Sequence, residues 1–339
     1  MNAPTYLSAC TPVPFHEKDS VEWHRERAST LGASEVGIVL GVSTFRGLLG
    51  LVLDKRDALA GTPAQWDSEA MHLGRLAEEF ILRHAGELLD LPCVHPGVAV
   101  RLPDLPLSAT PDGLVVDDQG VVVATIEAKL DRARNDWAEV IENGFGHLSG
   151  QDSRLAYWWQ VQAQLRVTGA AKGYLAVWTV YAFHLIEIAP DLEAFAVIDE
   201  AARRTIAWVN AGGGTLPPAT AADELATLAR TVNPATEGPV EVDGPVAEAI
   251  EEYARLGAEI KGLEERQDAA KRVILEAHRT AAKLSTASGF KSSFSDASER
   301  VSFDAKAFGE AHPELVPQFQ KVTKVSASCR VTSPKAKKG

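Results

Sequence analysis

Thr110-Pro111-Asp112-Gly113-Leu114-Val115-Val116 and Val121-Val122-Val123-Ala124-Thr125-Ile126-Glu127-Ala128-Lys129 decide the reading of this chain. Between them, Asp117-Asp118-Gln119-Gly120 has the chemistry of a turn, because Asp supplies local hydrogen bonds and Gly tolerates positive φ. The return run is rich in β-branched residues and reads as a buried strand. The hairpin folds Asp112 back beside Glu127 and Lys129. Those two residues are two apart, so their side chains leave the strand on one face. Two carboxylates and an ammonium on an apolar hairpin call for a cause, and a divalent cation is the most economical one. The plainer alternative puts Asp112 in a turn and pairs Glu127 with Lys129 across a surface sheet.

The bulk properties limit the classes open to the chain. At 339 residues and 45% hydrophobic content it can bury one large core or two ordinary ones. No apolar run is long enough to cross a bilayer, and MNAPTYLSACTPVPF lacks the pattern of a secretory signal. Cys10, Cys93 and Cys329 lie far apart, which argues against a four-cysteine zinc or iron–sulfur site and fits a reducing cytoplasm. A formal net charge of -12 argues against a general nucleic-acid binder. It still allows a local basic channel around an acidic metal site. From Lys321 onward the charge reverses, with Lys324, Arg330, Lys335, Lys337 and Lys338 and no acid. That tail reads as solvated or as a nucleic-acid contact.

Outward from the hairpin, residues 1–20 read as a loose lead-in and 21–210 as the main domain. Ser34 is positioned to cap a helix through Val36, Val39 and Leu40, and a second helix covers Leu48 to Leu59. Arg27 and Ser34 would then flank a helix N-terminus, where backbone N–H groups favour a phosphate; an ordinary cap beside a surface arginine is the other reading. Residues 67–90 repeat apolar positions at helical spacing, with Glu78 next to the stripe. Val98–Arg101 is a short strand. Residues 131–150 read as a loop or broken helix, 152–167 as a helix with glutamines among its aromatics, and 173–180 with 182–188 as a second hairpin. A helix from Pro190 to about Val209 completes an α/β core with a mixed sheet. Residues 211–244 read as a linker. A heptad helix follows over about 245–284, with Tyr253, Leu256, Ile260, Leu263, Gln267, Ala270, Ile274, Ala277, Ala281 and Leu284 in its seam. A small α+β end and the basic tail complete an extension over 245–339. It is expected to hold a hairpin-like pair (Gly289–Ser295 with Arg300–Phe303), short helices at Asp304 and Pro313, and a strand over Val322–Val331.

Ordered along the chain, Glu78, Pro111-Asp112, Glu127-x-Lys129 and Gln160 resemble the PD-(D/E)xK nuclease superfamily. The flanks narrow this. Trp23-His24-x-x-Arg27, Gly32-Ala33-Ser34-Glu35-Val36, Gly74-x-x-x-Glu78, Ser108 to Gly113, Glu127-Ala128-Lys129 and Tyr157-x-x-Gln160-Val161-Gln162 together resemble the YqaJ viral recombinase and phage lambda exonuclease family over roughly 20–210. The resemblance implies a restriction-endonuclease-like α/β core and a Mg²⁺-dependent alkaline exonuclease (Mn²⁺ a possible substitute). Such an enzyme digests one strand of duplex DNA from a 5′ end and leaves 3′ single strands for an annealing partner of the RecT or Redβ type. It also implies a ring-shaped homo-oligomer, a phage or prophage origin and action in a bacterial cytoplasm. By the same resemblance Asp112, Glu127 and Glu78 are metal-site carboxylates, the Ala128 backbone carbonyl is a further ligand, and Lys129 positions the attacking water. Gln160 and Tyr157 fall in the helix motif beside the site, and Arg27 and Ser34 recognise the terminal phosphate. Ala128 departs from the large hydrophobic residue usual there, and the extension after residue 240 has no counterpart in lambda exonuclease.

The chemistry can be stated without the family. Hydrolysis of a phosphodiester needs a nucleophile, neutralisation of the phosphoryl oxygens and help for the leaving oxygen. Hard oxygen ligands with no His or Cys nearby favour Mg²⁺ or Mn²⁺ over zinc. A structure-specific or nicking endonuclease, and a non-catalytic DNA-binding or assembly protein on the same scaffold, are the two alternatives.

Overall fold

The computed structural model describes residues 5–43, 46–63, 69–131, 136–150, 152–179, 181–211, 215–220, 223, 225–232 and 238–295. The basic tail and the elements expected beyond Ser295 lie outside these residues. The chain divides into two compact units, Met1–Leu228 and Ala229–Gly339.

In the first unit the order is β1 (Thr11–Pro12), α1 (Val21–Ala28), β2 (Leu31–Gly32), a 3₁₀ turn (Ala33–Glu35), α2 (Val36–Val39), α3 (Leu48–Leu59) and α4 (Glu69–Leu89). Next come β3 (Cys93–Val94), β4 (Val100–Arg101), β5 (Leu107–Ala109), β6 (Gly113–Val116) and β7 (Val122–Asp131). Then α5 (Trp137–Asn143), α6 (Arg154–Thr168), β8 (Lys172–Thr179), β9 (Phe183–Ile188) and α7 (Leu192–Asn210) follow, and α8 (Leu225–Ala229) closes the series at the boundary between the units.

The strands form two sheets. A five-stranded sheet runs β3-β6-β7-β8-β9, mixed because β7 and β8 are parallel and the other pairs antiparallel. A smaller sheet runs β1-β4-β5-β2. This is the expected α/β core with a mixed sheet flanked by helices. The hairpin forms as its sequence dictates: Gly113 pairs with Ile126, and Gly120 takes φ 78° in the turn.

Alternation along β7 decides what faces what. Ala124 and Ile126 pack with Ala77, Ile81 and Ala85, which recur every four residues down α4. The opposite face of the sheet meets α6, through Val161 and Leu165 against Leu114, Leu175 and Val177. The other side of α6 is also covered: Ala163 and Val167 join a third cluster with α3 and α7. A helix enclosed on both sides keeps few polar groups, so the glutamines of α6 each need a reason. Gly113 lets α4 approach the hairpin, since a Cβ there would lie 2.7 Å from Cys93 Sγ and 2.8 Å from Leu82 Cδ2.

Three local expectations differ. The lead-in is paired into the fold: β1 ladders with β4, and Thr5 bridges Val121, with Val122 N donating to the Thr5 carbonyl at 2.8 Å. Ser34 is exposed and caps nothing; the Glu35 carboxylate takes the Gly32 N–H at 2.8 Å instead. Arg27 is in the last turn of α1, whose N-cap is Ser20, and so does not flank a helix N-terminus.

The second unit contains α9 (Gly244–Ala277), with no buried residue, and the hairpin of β10 (Lys283–Ser285) and β11 (Lys291–Ser293). The expected helix runs on to about 284; it stops at Ala277, and Leu284 pairs with Ser292 in the hairpin.

Candidate active site

The centre of the site is a mismatch in strand length. β6 begins at Gly113, opposite Ile126, while β7 continues to Asp131 against β8. Past Ile126 the edge of β7 that faced β6 has no ladder partner. Asp112, one residue before β6, fills this gap, and its Oδ2 accepts the Ala128 N–H at 2.8 Å. The N–H and C=O of one strand residue leave by the same edge, so the Ala128 carbonyl is directed to the Asp112 side.

Glu127 and Lys129 project from the face covered by α6. Glu127 is 2% exposed. Its Oε1 accepts from Lys129 Nζ at 2.5 Å and from Gln160 Nε2 at 2.7 Å, and its Oε2 accepts from Gln164 Nε2. The two glutamines are four apart and share one face of α6. Gln162, between them, instead clamps the entry to α7 through the Ala189 carbonyl and the Asp191 N–H. Lys129 Nζ also lies 5.2 Å from the centre of the Tyr157 ring.

Electrostatics couple these groups. Burial, then the neighbouring Glu127 charge, pushes the Asp112 carboxyl up to about 8. Burial works against the Lys129 ammonium, but Glu127 and Asp112 outweigh it and hold the amine above its ordinary range. Desolvation raises Glu78 on α4, with smaller influences from His95, Glu127, Lys129 and Lys18. Tyr157 is raised by burial. Asp112 is therefore poorly solvated and lies beside the Glu127 charge, with Lys129 as the opposing cation.

Asp112, Glu127, Lys129, Gln160 and Tyr157 thus come together, and Glu78 lies within electrostatic reach. Among the described residues no three His, Cys, Asp or Glu side chains are close enough to hold a metal as a ready-made cluster. The fit to a hard cation is through oxygen: Asp112, the Ala128 carbonyl and Glu127, with Glu78 further out. Such a cation would offset the poor solvation of Asp112.

Sequence reasoning did not assign Gln164. The signal was its spacing of four from Gln160. It also did not assign Lys55, which is buried in α3. Lys55 Nζ bonds the carbonyls of Arg27 and Thr30 at 3.0 and 2.8 Å and pairs with Glu35 at 2.7 Å. It forms one wall of a cleft of about 630 Å³ that Lys18, His24, Arg27, Arg46 and Arg75 also line. Arg27 stacks on the Trp23 ring, 4.7 Å from its centre. Ser34 is not in that lining, so the structure does not join it to Arg27. Arg75 and Glu78, three apart on α4, link the cleft to the carboxylate centre.

Every one of these site residues from Arg27 to Gln164 falls within 22–171, the span that matches the family described as the YqaJ-like viral recombinase domain. This segment is similar to the YqaJ-like family. Its fold is similar to solved exonuclease structures. The alkaline exonuclease LHK-Exo from Laribacter hongkongensis is 21% identical, with a TM-score of 0.44, over 56% of this chain and 92% of that one. The same exonuclease in complex with dAMP aligns at 19% identity and a TM-score of 0.45, with the same coverage. A phage-related exonuclease from Haemophilus somnus is 12% identical, with a TM-score of 0.41, over 53% of this chain and 92% of that one. No curated protein matches the chain. Among the described residues, no helix is long and apolar enough to cross a membrane.

Proposed function

We propose that the protein is a divalent-metal-dependent DNA exonuclease that digests one strand of linear duplex DNA from its 5′ end. The 3′ single strands would pass to an annealing protein of the RecT or Redβ type, and Mg²⁺ is the metal expected of these oxygen donors. The observation that carries the reading is the Asp112–Ala128 contact at the unpaired edge of β7, with Glu127 and Lys129 beside it.

Asp112, Glu127 and the Ala128 carbonyl would hold the cation, with Glu78 as an outer carboxylate. When bound, it supplies Lewis acidity to the phosphoryl oxygens and makes water a better nucleophile. The remaining work belongs to the chain. Lys129, kept as an ammonium, donates to the attacking water and offsets charge gathering on the phosphoryl group. Gln160 and Gln164 fix the Glu127 carboxylate in one orientation. Tyr157 covers Lys129 and limits solvent around it. Arg27, on the cleft wall, supplies a guanidinium for a terminal phosphate, where charge-assisted bonds are strong. Ser34 is on this reading a contact at the outer surface only.

The test is digestion of linear duplex labelled separately at the 5′ and 3′ ends, with and without Mg²⁺, beside a closed circular plasmid. Early loss of the 5′ label and intact circles are expected. Cleavage of circles would replace the exonuclease reading with a nicking or structure-specific endonuclease. Inertness toward all substrates would favour a non-catalytic DNA-binding protein.

A further inference from the structure

The exposed seam of α9 plays no part in the chemistry above. Val246, Tyr253, Leu256, Ile260, Leu263 and Ile274 are between 42% and 63% exposed, although they recur at the three-and-four spacing of a packed helix face. The helix is 34 residues long, which at 1.5 Å per residue is about 51 Å. We propose that α9 packs against α9 of a second copy of this chain, antiparallel and in full overlap.

Two properties of the seam select this arrangement. The first is volume. Set antiparallel with Val246 of one copy facing Ala277 of the other, Tyr253 faces Ala270, Ile274 faces Ala249, and Ile260 faces Leu263. In the Tyr253 and Ile274 layers a large side chain meets a small one, as close packing between facing positions requires. In a parallel pair Tyr253 would face itself and Ala270 would face itself, leaving one layer crowded and another hollow. The second is charge. Glu259 and Arg266 flank the seam, and in the antiparallel register each Glu259 meets the Arg266 of the other copy, twice per pair. In the parallel register Glu259 would meet Glu264 and Arg266 would meet Lys271, all like-charged. Gln267 is the polar position of the seam and faces Leu256, its weakest layer. Within its own helix Glu259 is contacted by Arg255, an exposed pair that costs little to rearrange.

The experiment is sedimentation equilibrium of the full-length chain at low ionic strength, with helicity followed by circular dichroism. I260E/L263E should abolish this association with helicity kept, because both positions are exposed in one copy. R266E puts acids against each other and should weaken association about five- to tenfold, and E259R/R266E should restore it. Tighter association of R266E would establish the parallel register and overturn the proposal. If I260E/L263E leaves association unchanged, or the double charge reversal restores nothing, the seam does not join two copies.

Discussion

Gln164 donates to Oε2 of Glu127 from a position fully closed to solvent, and the Gln164 Oε1 has no partner among the described residues. A buried amide that gives up one of its own hydrogen bonds to keep another is set for the carboxylate, not for itself. Gln164→Leu keeps the volume and removes the donor. It should lower stability by about 1–3 kcal/mol, measured by urea denaturation, because a buried carboxylate loses a donor. It should also slow turnover at saturating DNA while leaving the affinity for DNA ends unchanged. Unaltered stability would show that Glu127 does not depend on this contact.

Asp112 gives a pH dependence with a definite sign. Its carboxyl is raised from 3.8 to about 8 in the folded chain, so between these values the native state binds more protons than the unfolded one. Metal-free protein should therefore lose stability as pH rises through this window and regain it as pH falls toward 4. Asp112→Asn should flatten the profile and eliminate nuclease activity. Denaturation in EDTA across pH 5–9 measures the first, and a steeper loss in the variant than in the native chain would contradict the assignment.

On the proposed function, the cleft and the carboxylates can be tested separately. Arg27→Ala should raise the KM for 5′-phosphorylated ends by about tenfold and leave 5′-hydroxyl ends little changed, since a charge-assisted bond is lost only with the phosphate. Equal losses on both ends would remove Arg27 from end recognition.

Lys55 tests the support beneath Arg27. Lys55→Met leaves Glu35 without its ion pair and should destabilise the fold by roughly 3 kcal/mol. K55M/E35Q should recover part of that loss. Thermal melts of the two variants give the comparison, and equal melting temperatures for K55M and the parent would show the pair to be dispensable.

A chain ending at Leu228 carries the whole carboxylate site. It should fold cooperatively and keep its metal-dependent activity on linear duplex; an insoluble product would place part of the fold's support beyond that boundary.

Legibility in the sequence followed the range of the interaction. Glu127 and Lys129 share a face because strands have period two, and α3 and α4 follow from apolar spacing together with Gly61 and Pro92, so all of these could be read directly. The two-residue strand Thr11–Pro12 carries too little periodicity to be seen, and it forms because Val100–Arg101 offers an edge far along the chain. Ser34 reads as a cap because Ser is a good one; Glu35 reaches the Gly32 N–H first. Lys55 lies in the charged run Asp54-Lys55-Arg56-Asp57, where a solvated side chain is the ordinary outcome, whereas it is held by carbonyls more than twenty residues away. The heptad spacing runs past Ala277 through Ala281 and Leu284, but Gly289 at φ 91° turns the chain back and draws Leu284 into a strand.

α4 works as a ruler. Arg75 faces the cleft and Glu78 the carboxylates, and the three residues between them amount to about 4.5 Å of helix rise. On the proposed function, the spacing between the cleft residue and the outer carboxylate is therefore set by helix geometry and not by a loop. One residue inserted between Arg75 and Glu78 would turn one group by about 100° relative to the other and put both out of step.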